Sequence, residues 1–273
     1  MPDDPFTGTA AHYARSRPGY GDAALEHVLD RFDLDEESRV LDLGCGAGQL
    51  AVPIARHAGS VVAMDPNEAM CAATEQRAAA AAARVEDAGE RVEAHVETVV
   101  GSDADLRAEH IEAVAPLDLT TMGRSFHWME QRATLECLRE HTVPGGGVAI
   151  VDDEEWLTAG NEPWMAAVHE VADRYLADLP ERSDPATVEY DDPWDELLVE
   201  QGFADVETAT FAVERPWTVD EIVDYVFSLS FASPNRFGAT LDAFERDCRE
   251  RLAALGEAPF EQTAAVSVLS GRV

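Results

Sequence analysis

The run Val40-Leu41-Asp42-Leu43-Gly44-Cys45-Gly46-Ala47-Gly48-Gln49-Leu50 constrains this chain more than any other segment. Four residues of strand character lead straight into three glycines at every second position. A helix is predicted next, from about Gln49 to His57. Glycines at this spacing let the backbone turn tightly and let a ligand approach it closely. A helix N-terminus beyond such a loop offers unpaired N–H groups and a favourable dipole to anionic or polar ligand groups. The dinucleotide fingerprint has the spacing GxGxxG. Here it is GxGxG, with an acid, Asp42, two residues before the first glycine, so an NAD-dependent oxidoreductase is the poorer fit.

A second signal supports the first. Asp65 closes the next predicted strand, Ser60 to Met64. An acid there accepts hydrogen bonds from the hydroxyls of an adenosine ribose. A plain Gly turn and a helix-capping Asp would look the same in isolation. Together, at the carboxyl ends of adjacent predicted strands, they point to a nucleoside cofactor.

The rest of the chain alternates strand and helix, which reads as α/β with a largely parallel sheet. Asp22 is expected to cap a helix whose apolar face is Leu25, Val28, Leu29 and Phe32. Further helices are expected at about 67–88 and 130–141. Strands are expected within 92–100, at 117–122 and at 148–151, the last entered by a turn at Pro144-Gly145-Gly146-Gly147. After Asp152 the alternation stops. Residues 153–190 and 216–260 read as insertions onto a sheet that continues through strands at 206–213 and 264–268. A helix at 194–201 is closed by Gly202.

At these residues a family resemblance emerges. Val40 to Gly48 resembles motif I of class I S-adenosylmethionine-dependent methyltransferases, and Val61-Val62-Ala63-Met64-Asp65-Pro66-Asn67 resembles the motif after it. Gly101-Ser102-Asp103-Ala104-Asp105-Leu106 is similar to the adenine-edge motif G-D-A-x-x-L. It is offset by one, so either Ser102 or Asp103 meets the adenine amino group. Tyr13-Ala14-Arg15-Ser16-Arg17-Pro18-Gly19-Tyr20 resembles a segment that closes over the cofactor in one branch, with the Tyr near the methionine end. The resemblance implies a Rossmann-like, seven-stranded, mostly parallel sheet with its last strand antiparallel. It implies S-adenosylmethionine as cofactor, with the glycine loop and Asp42 at its methionine part and Asp65 at its ribose. The expected cofactor residues are Tyr13, Arg17, Asp42, Gly44, Cys45, Gly46, Gly48, Asp65, Pro66, Met70, Ser102, Asp103, Ala104, Gly123 and Ser125. One domain is expected over 1–273: a lid segment at 1–35, a cofactor-binding half at 36–152 and an acceptor-side half with helical insertions at 153–273.

Gly123-Arg124-Ser125-Phe126-His127-Trp128 follows the fourth strand, where an open α/β sheet places its acceptor. The His-Trp pair resembles the small-molecule branch that includes trans-aconitate methyltransferases. His127 is a candidate base, because imidazole titrates near neutrality. Trp128 is a candidate wall for the sulfonium by cation–π contact. Arg124 is a candidate anchor for an acidic acceptor, because its fork binds carboxylates bidentately. The alternative is a core Trp with a neighbouring solvated His. The acceptor is expected to be a small molecule methylated at O, N or C. A non-catalytic cofactor sensor or partner subunit is the other reading.

Composition bounds the partners. The chain has 273 residues, 54 acidic and 20 basic, for a net charge of −34, and every basic residue is Arg. Dispersed acid without Lys resembles proteins of organisms that hold molar salt, where a Debye length of ~3 Å screens self-repulsion. Nucleic acid is not an expected substrate, since phosphate binding needs cations. No stretch approaches the roughly 18 unbroken apolar residues of a membrane span. Met1-Pro2-Asp3-Asp4 is acidic where a signal peptide is basic, so a cytoplasmic location is expected. The four Cys lack metal spacing; no metal is expected, and buried thiols are the default.

Overall fold

A computed structural model describes residues 9–87, 95–183 and 193–273. Seven strands form one sheet: β1 (Arg39–Leu43), β2 (Ser60–Asp65), β3 (Val96–Val100), β4 (Leu117–Gly123), β5 (Thr142–Asp153), β6 (Ala204–Trp217) and β7 (Phe260–Arg272). Their order is β3-β2-β1-β4-β5-β7-β6. β3, β2, β1, β4 and β5 pair in parallel, and β7 runs antiparallel to β5 from Gly147 opposite Arg272 to Asp153 opposite Val266. This is the Rossmann-like α/β sheet expected from the sequence. The order reverses at β1, so the crevice of the fold opens beyond the carboxyl ends of β1 and β4.

The described residues divide into two compact units. One comprises 19–87, 95–153, 193–211 and 266–273; the other comprises 9–18, 154–183 and 212–265. The first has a core of strand residues such as Leu41, Leu43, Met64, Leu119 and Val148. On the helix Gln131–His141, Leu135 and Leu138 are buried, at the i, i+3 spacing of one helix face. The second unit is packed around aromatics. Trp156, Trp164, Trp217, Tyr225, Phe227 and Phe244 share one cluster with aliphatics of Pro163–Asp173, Val219–Ser228 and Leu241–Ala253. Trp156 stacks on Tyr225 at 4.7 Å, and Trp164 and Trp217 lie within 6.4 Å of each other. Trp164 and Trp217 donate to the Glu261 carbonyl and to Gln262 Oε1, which satisfies their buried N–H groups.

Several boundaries depart from expectation. Gly21 (φ +84°) takes the N-cap position expected of Asp22, which becomes the first residue of the helix Asp22–Arg31. The chain turns there through a left-handed conformation that glycine adopts without cost. After the glycine loop, regular helix is confined to Ala51–Ile54. Pro53 has no N–H to donate, and His57 closes back on Ile54 in a tight turn. The turn expected at 144–147 lies within β5 as a bulge: pairing with β4 slips between Leu117–Thr142 and Leu119–Gly147. The end of β7 fastens it, with Gly145 N–H donating to the Val273 carbonyl and Val273 N–H to that of Gly146. The strand expected within 92–100 begins at Val96 in the structure, and 92–94 lie outside the described residues. Gly202 does end the helix Trp194–Glu200. Its N–H donates to Val199 and that of Phe203 to Leu198, the two bonds of a Schellman motif.

Candidate functional site

The site is built at the carboxyl ends of β1, β2 and β4. Gly44, Gly46 and Gly48 all take positive φ (+73°, +55° and +77°). A Cβ on Gly44 would overlap Ser125 Cβ and lie 2.8 Å from its Oγ. The loop is fastened from below by strand β2, because Gly44 and Cys45 N–H both donate to the Met64 carbonyl (2.8 and 3.0 Å). Ser125 Oγ donates to the Leu43 carbonyl at 2.8 Å and packs behind Gly44.

Two carboxylates flank this loop in different ways. Asp65 sits at the end of β2, where Oδ2 accepts from Gly46 N–H and Oδ1 from Asn67 N–H, each at 2.9 Å. The strand end and the loop are thereby set in one geometry around a single carboxylate. Asp42 is almost fully buried beneath the loop. Thr121 Oγ1 donates to its Oδ1 (2.8 Å), and Ala51 N–H, an orphan donor of the short helix, to its Oδ2 (3.0 Å). Burial raises the Asp42 pKa to about 7, against the lowering effect of those two bonds. The structure therefore gives Asp42, expected at the methionine part of the cofactor, the role of a brace.

The segment after β3 is also tightly organised. Ser102 caps the helix start at 103: its N–H and Oγ donate to Asp105 Oδ2 (2.8 and 2.7 Å), and Asp105 N–H returns to its Oγ. Asp103 Oδ2 accepts from Arg107 (2.5 Å), Thr134 Oγ1 (3.0 Å) and Glu130 N–H (3.2 Å). Both candidates for the adenine amino group thus carry protein partners. Ala104, which follows them, is exposed, Pro66 is exposed, and Met70 is buried.

Beyond β4 the expected acceptor residues separate. Arg124 has positive φ (+52°), pairs with Asp153 through its Nε, and stacks over Tyr20 at 4.6 Å. Its side chain is mostly buried, so it serves as a structural ion pair and not as the expected carboxylate anchor. Gly123 lies under the same ring; a Cβ there would come 2.5 Å from Tyr20 Oη. His127 and Trp128 are exposed, with ring centroids 5.1 Å apart, and Trp128 is 59% accessible. Desolvation lowers the His127 pKa below that of free imidazole.

Residues 41–148 match the family model described as a methyltransferase domain. This span begins in β1, runs through the glycine loop and Asp65, and ends in β5. The matched span, less than half of the chain, is similar to methyltransferase domains. Over 228 residues it is 26% identical to an uncharacterized methyltransferase-like protein of Schizosaccharomyces pombe, covering 83% of this chain and 77% of that one. A candidate type II methyltransferase from Anaeromyxobacter dehalogenans superposes with a TM-score of 0.59 at 22% identity, covering 94% of this chain and 97% of that chain. A SAM-dependent methyltransferase from Thiobacillus denitrificans, solved with S-adenosyl-L-homocysteine, gives 0.54 at 14% identity over the whole of both chains. At such identities the structural likeness speaks to the fold.

The described N-terminal segment, 9–18, belongs to the aromatic unit. Arg17 stacks on Tyr13 (5.2 Å) and Tyr225 (4.7 Å), and its Nε donates to Ser228 Oγ (3.0 Å). His12 Nδ1 lies 2.6 Å from Asp224 Oδ1, and Arg15 reaches both Asp224 oxygens (2.9 and 3.0 Å). The helix Ala10–Ser16 is thereby tied to the helix Val219–Ser228.

Sequence reasoning missed several supports of the site. Thr74 Oγ1 donates to the Gly46 carbonyl at 2.9 Å from the helix Glu68–Asp87. Its signal is a Thr four residues after Met70, on the apolar face of an Ala-rich helix. Thr121 and Tyr20 were visible only as strand and segment residues. Among the described residues, no group of three or more His, Cys, Asp or Glu is placed to hold a metal, and no helix is long and apolar enough to cross a membrane.

Proposed function

We propose that this chain transfers the methyl group of S-adenosylmethionine to an O, N or C atom of a small molecule, using Gly44–Gly48 and Asp65 as the cofactor cradle. The observation that carries the reading is the Asp65 carboxylate, held by Gly46 and Asn67 N–H at the mouth of a loop of three positive-φ glycines. The residues suit the cofactor: the acid is fixed where a ribose diol needs two acceptors, and the glycines leave the backbone bare for close approach. When bound, S-adenosylmethionine supplies an electrophilic methyl on a sulfonium.

The chain's own contribution is then mostly positioning and exclusion of water. Asp42 braces the loop from below through Ala51 N–H and Thr121. Pro66 and Met70 flank the ribose acid, and Ser102, Asp103 and Ala104 form the adenine edge, where the Ser102 and Asp103 side chains hold Asp105 and Arg107. Gly123 and Ser125 close the floor between β1 and β4. His127 accepts the acceptor's proton, and the exposed Trp128 ring offers a face for a cationic methyl donor. The net charge of −34 disfavours free nucleic acid as acceptor.

Calorimetric titration of S-adenosylhomocysteine into wild-type and Asp65→Ala protein tests this reading. Wild-type binding that disappears in Asp65→Ala, with the melting transition of both proteins intact, is expected. Equal binding by the variant would remove the main support.

A further inference from the structure

One buried amide in the cradle has no part in that reading. Gln49 follows Gly48 directly and is only 7% accessible. Its Nε2 is sealed from solvent and has no hydrogen-bond partner among the described residues. The polar groups around it in the chain are all employed. Gly46 N–H is on Asp65, the Gly46 carbonyl on Thr74, Gly48 N–H on the Cys45 carbonyl and Ala51 N–H on Asp42. A sealed amide that donates to nothing costs the free protein stability, and such a group calls for a partner that arrives later. Thr120 Oγ1 and Trp156 Nε1 are also unpaired, but they lie inside strand β4 and inside the aromatic cluster. Gln49 stands instead on the loop that a ligand has to approach.

We propose that Gln49 Nε2 donates to the carboxylate at the methionine end of the cofactor and selects ligands that carry it. This rests on the cofactor reading of the same loop. Position sets which end of the ligand Gln49 meets. The ribose acid Asp65 closes β2, and the adenine edge of that reading follows β3. The chain leaves Gly48 the other way, toward β4: a Cβ on Gly123 would come 2.9 Å from Leu50 Cδ1. In the strand order β3-β2-β1-β4, residues 49 and 50 thus lead away from the adenine edge. With the ribose held at Asp65, the end of the ligand on that side is its amino-acid end.

Chemistry sets the group. An amide nitrogen only donates, so its partner has to accept. Of the two charged groups at the amino-acid end, the carboxylate accepts and the ammonium donates. A hydrogen bond to an ionised oxygen is stronger than one between neutral groups, and burial strengthens it further. The same burial makes the amide a filter: a ligand without the carboxylate leaves Nε2 as it is in the free protein, sealed and unpaired.

The test titrates two ligands into the full chain by calorimetry: S-adenosylhomocysteine, and its decarboxylated form, the same molecule without the carboxylate. Wild type is expected to bind S-adenosylhomocysteine at least about tenfold more tightly than the decarboxylated ligand. Gln49→Met keeps the length of the side chain without its amide. It is expected to lose about tenfold or more in affinity for S-adenosylhomocysteine and to hold the decarboxylated ligand within about twofold. Without ligand, its melting midpoint is expected to rise by at least about 2 °C, because the unpaired amide is gone. Gln49→Leu is expected to give the same split between the ligands, so a packing fault in one variant does not decide the outcome. Absence of S-adenosylhomocysteine binding by wild type removes the cofactor reading and this assignment with it. Where wild type binds, the assignment alone is overturned by unchanged affinity in both variants or by an equal loss for both ligands. A ligand-free Gln49→Met midpoint that does not rise also overturns it, since the amide would then be satisfied in the free protein.

Discussion

At Gly44 the loop's shape and its packing make one demand. A side chain there would take a left-handed conformation, costing about 1–2 kcal/mol, and would press its Cβ into Ser125. Overpacking of this kind costs about 1–3 kcal/mol. Gly44→Ala is therefore expected to lose roughly 2–5 kcal/mol in urea unfolding; a loss below about 1 kcal/mol would mean that neither the backbone conformation nor Ser125 constrains this position. Asp42 makes a different demand. Its folded pKa, raised to about 7, lies above the unfolded value near 4. The folded protein holds a proton that the unfolded chain releases as pH rises through 4, so this group lowers stability progressively from pH 4 to 7, and the loss is complete above 7. Asp42→Asn removes that dependence. The stability of Asp42→Asn minus that of wild type is expected to rise between pH 4 and 7, by up to about 4 kcal/mol. A difference that is flat with pH would show that Asp42 is ionised in the folded state. At this scale, Asp65 and the glycines were legible because each is the residue type its backbone position requires. The supporting Thr74, Thr121 and Tyr20 were not, since each acts on a residue far away in the chain.

At the scale of elements, β1, β2, β4 and the helices Asp22–Arg31 and Gln131–His141 follow their hydrophobic periods closely. Elements went astray where a distant strand overrode the pattern: the end of β7 turned an expected loop into a bulge. The helix Val219–Ser228 shows how a local signal acquires a remote use. Thr218 and Glu221 form its capping box, readable from four residues. Its outer face carries Asp224, which receives His12 and Arg15 from the N-terminal helix. Asp224→Asn removes the charge that Arg15 meets. As Arg15 is half-exposed, the pair contributes at most about 1 kcal/mol. Amide exchange across 10–16 is expected to quicken about two- to fivefold, with the core strands unchanged. Unchanged exchange across 10–16 would assign the fastening to Arg17 and its stack on Tyr13 and Tyr225 instead.

For the molecule as a whole, charge is the governing quantity. Twenty arginines face 54 acids, and ion pairs such as those of Arg249 with Asp220 and Glu245 engage few of them. The excess negative charge opposes compaction in dilute buffer and is screened within ~3 Å at 1 M salt. Thermal unfolding in 2 M KCl is expected at least about 5 °C above that in 0.1 M KCl, or about 2 kcal/mol for a chain of this size. An equal or lower midpoint in high salt would mean that native ion pairs outweigh the repulsion.

Contiguous residues announce the α/β sheet and the glycine loop with its neighbouring acid, Asp65. Each is written in contiguous residues whose type is dictated by local backbone geometry or by period. Folding alone makes Asp42 a buried brace, commits Arg124 to Asp153 and ties the N-terminal segment to the helix Val219–Ser228. Those roles depend on partners brought together by strand order and packing, and spacing along a chain carries no record of which distant side chain arrives.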